Sequence, residues 1–207
     1  INGVKDISCK KVCNMAEVIN NVTLIFINQI DSLENMFKGL NNIIEADLSN
    51  FDTPYVTTMS SMFKDCFNLL SVYLSNYNTY NLVNISHMFE NCLNLQSIVF
   101  GNITTSVENM EYCFTNCTKI ESIDLSKFDT SKVTTMSYMF YRCLKLQSIN
   151  LDNIDTSSVE SMDYLFYGCS QLNSIDLSHL QTSKVKDMSY MFRYCSNLKS
   201  INFGDIN

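Results

Sequence analysis

Apolar residues recur along this chain in two alternating rhythms. Val133, Met136, Met139, Phe140, Cys143 and Leu146 stand three and four apart, the mark of one apolar stripe on a helical segment. Directly after them Ile149 and Leu151 alternate with polar Ser148 and Asn150, the period of a half-buried strand. A polar turn follows, Asp155-Thr156-Ser157 here and Asp129-Thr130-Ser131 one unit earlier. Its Asp or Ser is placed to cap a helix start. The pattern predicts a unit of one short strand and one short helical segment.

That unit repeats. A Met-Phe pair appears at Met36-Phe37, Met62-Phe63, Met88-Phe89, Met139-Phe140 and Met191-Phe192, with Cys113-Phe114 and Leu165-Phe166 in the gaps. Every step between pairs is 26 residues except one of 25, from Met88 to Cys113. A fixed period of this length marks a stacked solenoid, because one unit cannot cover its own apolar face and neighbours must stack to make a core. The expected fold is an α/β, leucine-rich-repeat-like solenoid of about eight coils. Strands would lie ~4.8 Å apart on one side and helices ~8–10 Å apart on the other, a mismatch that would curve the stack. The array is expected to fill residues 1–207: a degenerate half-unit over 1–29, regular repeats over 30–203, and an open end at 204–207.

The unit Leu-x-Ser-Ile-x-Leu-Ser-x-Phe-Asp-Thr-Ser-x-Val-x-x-Met-Ser-x-Met-Phe-x-x-Cys, read most clearly from Ser122 to Leu146, resembles the repeat of BspA-like leucine-rich-repeat surface proteins. The resemblance implies a solenoid exposed at the cell surface, adhesion or partner binding, and no enzyme. The fourth copy departs from the pattern, with Ile103-Thr104-Thr105 in place of Asp-Thr-Ser.

Composition adds limits. With 5 Gly and 1 Pro, the turns must be made by Asn, Asp and Ser through their own side chains. The net charge of −7 is diffuse, without the basic stripe that nucleic acid requires. No apolar stretch reaches the ~18 residues of a membrane span; Val22 to Ile30 is interrupted by Asn28 and Gln29.

The candidate chemistry is sparse. A cysteine column (Cys66, Cys92, Cys117, Cys143, Cys169, Cys195) reads as buried free thiols, since helical spacing would exceed the reach of a disulfide. Cys9/Cys13 and Cys113/Cys117 share an i,i+4 spacing, but no further ligands lie nearby in sequence, and no cofactor or metal is expected. His87 and His179 lie more than three coils apart, so no catalytic constellation assembles. The turn aspartates Asp52, Asp129 and Asp155 read as caps rather than a calcium ladder. The serine column Ser71, Ser97, Ser122, Ser148, Ser174 and Ser200 reads as a hydroxyl ladder inside the coil. Four glycosylation sequons, at Asn21, Asn84, Asn102 and Asn116, match the roughly five that chance would give in so Asn- and Ser-rich a chain. Their columns read as exposed.

Tyr112, Tyr138, Tyr164 and Tyr190 share one column, with Tyr141 and Tyr167 beside it. They form either a surface contact ladder, for a partner protein or for stacking sugars, or an aromatic rim over the helix layer. The two ends carry the remaining expectation. Phe203, Gly204 and Ile206 at one end, and Ile1, Val4, Cys9 and Cys13 at the other, fall in register as one coil when joined. Around that join the steps amount to eight whole coils. The leading expectation is therefore an extracellular or cell-surface structural protein that self-associates head to tail into a fibre or layer. The alternative is a monomeric adhesin or interaction domain that binds glycans or a surface or host protein through one face, without membrane insertion.

Overall fold

The computed structural model describes residues 29–49, 54–74, 81–101 and 103–204. They form a β-solenoid of about six turns. The strands are β1 (Glu45–Asp47), β2 (Ser71–Leu74), β3 (Ser97–Phe100), β4 (Ile103–Ser106), β5 (Ser122–Asp124), β6 (Phe128–Asp129), β7 (Ser148–Asn150), β8 (Ser174–Asp176) and β9 (Ser200–Asn202). All pairing is parallel and one coil apart: β1-β2-β3, β5-β7, β8-β9, and β4-β6 at a neighbouring corner. On the other side of the coil a second ladder of bridges runs through Ser32, Thr58, Asn84, Asn109, Thr135, Ser161 and Asp187.

The helical segments expected from the three-and-four spacing are absent among the described residues, and the expected eight coils are corrected to about six turns. The backbone hydrogen bonds give the reason. From Met136 to Arg142 alternate N–H groups leave the coil: Met136 donates to Ser161 O, Tyr138 to Asp163 O, Phe140 to Leu165 O and Arg142 to Tyr167 O, at 2.7–3.0 Å. The intervening ones stay local, Met139 donating to Met136 O and Cys143 to Phe140 O. A helix would use every N–H within itself and offer none to the next coil. Here Tyr138 and Arg142 hold φ of 58°, at the third position of two tight turns, and break any helix every four residues. The first and fourth residues of each turn are the inward-facing Met136/Met139 and Phe140/Cys143. Tight turns thus reproduce the i,i+3 apolar spacing of a helix.

The core is a set of ladders. Phe37, Phe63, Phe89, Phe114, Phe140, Phe166 and Phe192 stack at 5.2–5.6 Å, and Phe63 to Phe166 are almost fully buried. Each stack adds about 0.5–1.5 kcal/mol beyond simple burial. Both sides of the coil are backbone-bonded to their neighbours, so the helix–strand spacing mismatch disappears with the helices. The 25-residue coil is the irregular one. Phe100 stands where other coils have Leu74, Leu125, Leu151 or Leu177, and it packs edge-on against Phe128 at 4.9 Å and Phe114 at 6.5 Å. The strand column is interrupted there, between β3 and β5, and again between β7 and β8, where the coil has its full length.

The serine column faces the other way from expectation. Ser97, Ser122, Ser148, Ser174 and Ser200 open their strands on the solvent side, and Ser71 Oγ donates to Glu45 Oε2 at 3.1 Å. Alternation along the strand puts Ile, not Ser, inside.

Candidate functional site

The turn Met136–Met139 carries Tyr138 at its apex, and the same corner recurs in each coil. The result is a ring ladder: His87 stacks on Tyr112 at 4.8 Å, Tyr112 on Tyr138 at 4.7 Å and Tyr138 on Tyr164 at 4.6 Å, and Tyr190 closes it tilted against Tyr164 at 4.9 Å. A second column lies alongside, with Tyr141 stacked on Tyr167 at 4.8 Å and tilted against the first at 5.4–5.5 Å. Tyr194 closes it edge-on at 5.2 Å from Tyr167. The Arg193 guanidinium lies 5.2 Å from the Tyr190 ring centre and 4.9 Å from that of Tyr194, and it donates to Tyr194 Oη. Tyr190 and Tyr194 are 50% and 60% exposed; the others are half-buried.

This geometry decides what the face can do. The ring faces of Tyr112, Tyr138 and Tyr164 are covered by neighbouring rings, so that stretch of the ladder presents phenol edges and hydroxyls, not the open faces on which a sugar would stack. Tyr190 and Tyr194 at its end are more exposed and share the Arg193 guanidinium. Burial, with Tyr112 and Tyr164 beside it, pushes the Tyr138 phenol up to about 12, so it stays a neutral hydroxyl well beyond the usual range.

Every tyrosine of the first column sits at positive φ, from 55° to 58°. Left-handed backbone costs a residue with a Cβ about 1–2 kcal/mol, and for a bulky ring it is a true outlier. Asn35 and Ser61 occupy the same column at 57° and 56°, so the fold itself does not require tyrosine there.

The cysteine column holds free thiols, buried except for the half-buried Cys195. Distance is not what separates them, because the helical spacing behind that expectation does not exist. Instead each Sγ donates to the carbonyl of the Phe in the preceding coil, from Cys66 to Phe37 O at 3.0 Å through Cys195 to Phe166 O at 3.0 Å. Burial pushes the Cys143 thiol up to about 12, which keeps it protonated and unreactive. Cys113 and Cys117 are both buried, and among the described residues no group of three or more His, Cys, Asp or Glu is arranged for a metal. His87 instead pairs with Glu90 at 2.5 Å, a carboxylate that also takes Lys64 at 2.6 Å, while His179 is exposed elsewhere.

Asp155 Oδ1 accepts from Ser157 N–H at 2.8 Å and Asp129 Oδ1 from Ser131 N–H at 3.0 Å, making turns of side chain onto backbone where a helix cap was expected. The same device, unnoticed in the sequence, works at two more corners: at Asp47, Asp124, Asn150 and Asp176 after the strands, and at Asn84, Asn109 and Asp187 on the bridges. An Asx followed two residues later by Ser was the available signal at five of these seven; Asn150 and Asn109 make the same turn onto Asp152 and Glu111. Of the sequon asparagines, Asn84 and Asn116 are half-buried, and Asn116 Nδ2 donates to Asn91 Oδ1 at 2.8 Å, so the nitrogen that a glycan would need is already engaged. Asn21 and Asn102, Asp52, and the end residues Ile1, Val4, Cys9, Cys13 and Ile206 lie outside the described residues. Phe203 is exposed, and Gly204, at φ 66°, packs so closely on Ser178 that an added Cβ would meet its backbone at 3.1 Å.

Two apolar voids of about 20 and 10 Å³ lie in the core, too small for any ligand. No helix among the described residues is long and apolar enough to cross a membrane. No curated protein matches the chain. A family model does, twice and with overlap, over residues 7–122 and 108–203, as interchangeable coils allow. The chain therefore belongs to the family described as "Mycoplasma protein of unknown function, DUF285".

Proposed function

We propose that this solenoid is a non-catalytic interaction module displayed outside the cell, and that the tyrosine face is its working surface. The observation that carries this reading is tyrosine at left-handed positions in four successive coils, where Asn35 and Ser61 serve the fold in the same column. Strain retained without a folding need points to a use on the surface. Aromatic rings beside arginine suit protein contacts, because they bring large contact area at little entropic cost. The extracellular placement rests on the likeness of the repeat to BspA-like surface proteins.

Head-to-tail stacking into a surface fibre is a second reading. In the last described coil Phe192, Cys195, Leu198 and Ile201 are only partly buried, whereas Phe166, Cys169, Leu172 and Ile175 one coil earlier are buried. A further coil, of a longer chain or of another copy, would cover them.

The test is adhesion of the protein, coated on beads, to cells or to immobilised extracellular matrix. Replacing Tyr138, Tyr164 and Tyr190 by Ser should abolish adhesion while the circular dichroism spectrum is unchanged. Full adhesion by that variant contradicts the proposal.

A further inference from the structure

Resting on the aromatic-face reading, we infer that the face pairs with the same face of a second copy, the two solenoids lying side by side and parallel. Across the four coils that carry the ladder, the strip of tyrosines is flanked by edges of opposite charge. The residue just before the first tyrosine column is Glu111, Ser137, Asp163 or Ser189. Glu111 and the half-buried Asp163, whose carboxylate also accepts from the buried Ser137 and from Ser161, make this the acidic edge. On the other side the second column ends in Arg193, and the column beyond it holds Arg142, a basic edge. Neither arginine has a carboxylate partner within 4 Å among the described residues; the ion pairs there are Lys64–Glu90, His87–Glu90 and Lys186–Glu160.

A two-fold axis parallel to the solenoid axis keeps each coil level with its counterpart and reverses the order of columns across the face. The acidic edge of one copy then meets the basic edge of the other, twice over, as a self-complementary interface requires. Tyr138 faces Tyr141 of the second copy, Tyr164 faces Tyr167, and Tyr190 faces Arg193. Arg142 lies level with the buried Ser137 and reaches between Glu111 and Asp163, one coil to either side. An antiparallel arrangement would instead set each column on itself and leave Arg142 opposite Gly168.

The repeat selects the partner. Rings spaced at 4.6–4.9 Å present the period of a hydrogen-bonded β-stack, and a second copy matches it rung for rung, whereas an irregular globular surface falls out of step. The ladder strip is about 19 Å long at ~4.8 Å per coil, which is short for a permanent dimer, so the pairing is concentration-dependent.

The experiment is sedimentation velocity of the whole chain across a wide concentration range, at low and high salt. The expected result is a monomer–dimer equilibrium that salt weakens. Arg142→Glu and Glu111→Lys should each weaken it about tenfold or more, and the double variant should recover most of the loss. Thermal melts check that each variant is folded. A wild-type chain that stays monomeric at the highest concentration overturns self-pairing, as does a dimer indifferent to both charge reversals. In either case the aromatic-face reading is judged separately, by the adhesion measurement.

Discussion

Phe63 on Phe89 and Phe140 on Phe166 stack at nearly the same separation, 5.6 and 5.5 Å, yet the outward side chains beside them differ in kind, with His87 alone carrying the ring ladder into the N-terminal coils. Two residues before these rings stand Ser61 and His87 in the N-terminal coils, Tyr138 and Tyr164 in the C-terminal ones. One residue after them stand Lys64 and Glu90, against Tyr141 and Tyr167. The N-terminal half binds its coils across this face with polar ladders. Lys64 pairs with Glu90, Asn91 Nδ2 donates to Asp65 Oδ1 at 2.7 Å, and Asn116 Nδ2 donates to Asn91 Oδ1. The C-terminal half uses stacked phenols. One backbone tolerates both, so the core columns belong to the fold and the face columns are free for function.

The largest effect should be the same in both halves. Phe89→Ala and Phe140→Ala each remove a ring stacked on both sides, and each should cost about 3–5 kcal/mol in a urea titration. A large difference between them would mean that the two halves do not share one cooperative core. Opposite effects are expected one column further along. Asn91→Ala should cost about 2 kcal/mol, because it orphans the Asp65 and Asn116 amide ladder and leaves Ala at φ 61°. Arg142→Gly should stabilise by about 1 kcal/mol, since φ is 58° there and Gly39 and Gly168 already fill that column at 73° and 74°. Thermal melts of the two variants check the signs.

The smallest difference is in pH response. Burial by itself would raise the Glu90 carboxyl, but hydrogen bonds from His87 and Lys64, with their charges, outweigh it and hold the group below the ordinary 4.5. A carboxyl lowered by folding stabilises the native state above its unfolded value, and that contribution is lost as pH falls through the folded one. Glu90→Gln should therefore flatten the stability curve below about pH 4.5 and change its shape little above it. Melting curves from pH 3 to 7 test this, and an unchanged acid limb would remove Glu90 from the account.

The repeat, its period, the short fourth copy and the tyrosine column were all legible in the chain. The strands at Ile123, Ile149 and Ile175 fell where alternation put them. The helix did not, because apolar spacing reports which residues face inward and not how the backbone turns between them. Met136, Met139, Phe140 and Cys143 face inward equally well from a helix or from two tight turns. The telling signal was turn chemistry: Gly39, Asp65, Asn91, Asn116 and Gly168, residues that tolerate positive φ, recur in one column, and Asn35 stands four residues before the first of them. Tyrosine and arginine at the same positions concealed it. The tyrosine column was visible, but the stacking that closes its ring faces was not, since ladder geometry needs the ~4.8 Å spacing of strands and not the ~8–10 Å of helices.

The central claim is that the tyrosine ladder is kept for the surface and not for the fold. Replacing Tyr112, Tyr138, Tyr164 and Tyr190 together by Asn removes seven aromatic pairs, three stacked and four tilted, each worth about 0.5–1.5 kcal/mol at most, and relieves four left-handed strains of about 1 kcal/mol each. A urea titration of this variant should show a total loss of less than about 4 kcal/mol, no more than Phe140→Ala alone. A loss per tyrosine equal to that of Phe140→Ala, or a chain that fails to fold, would show that the ladder is structural and contradict the account.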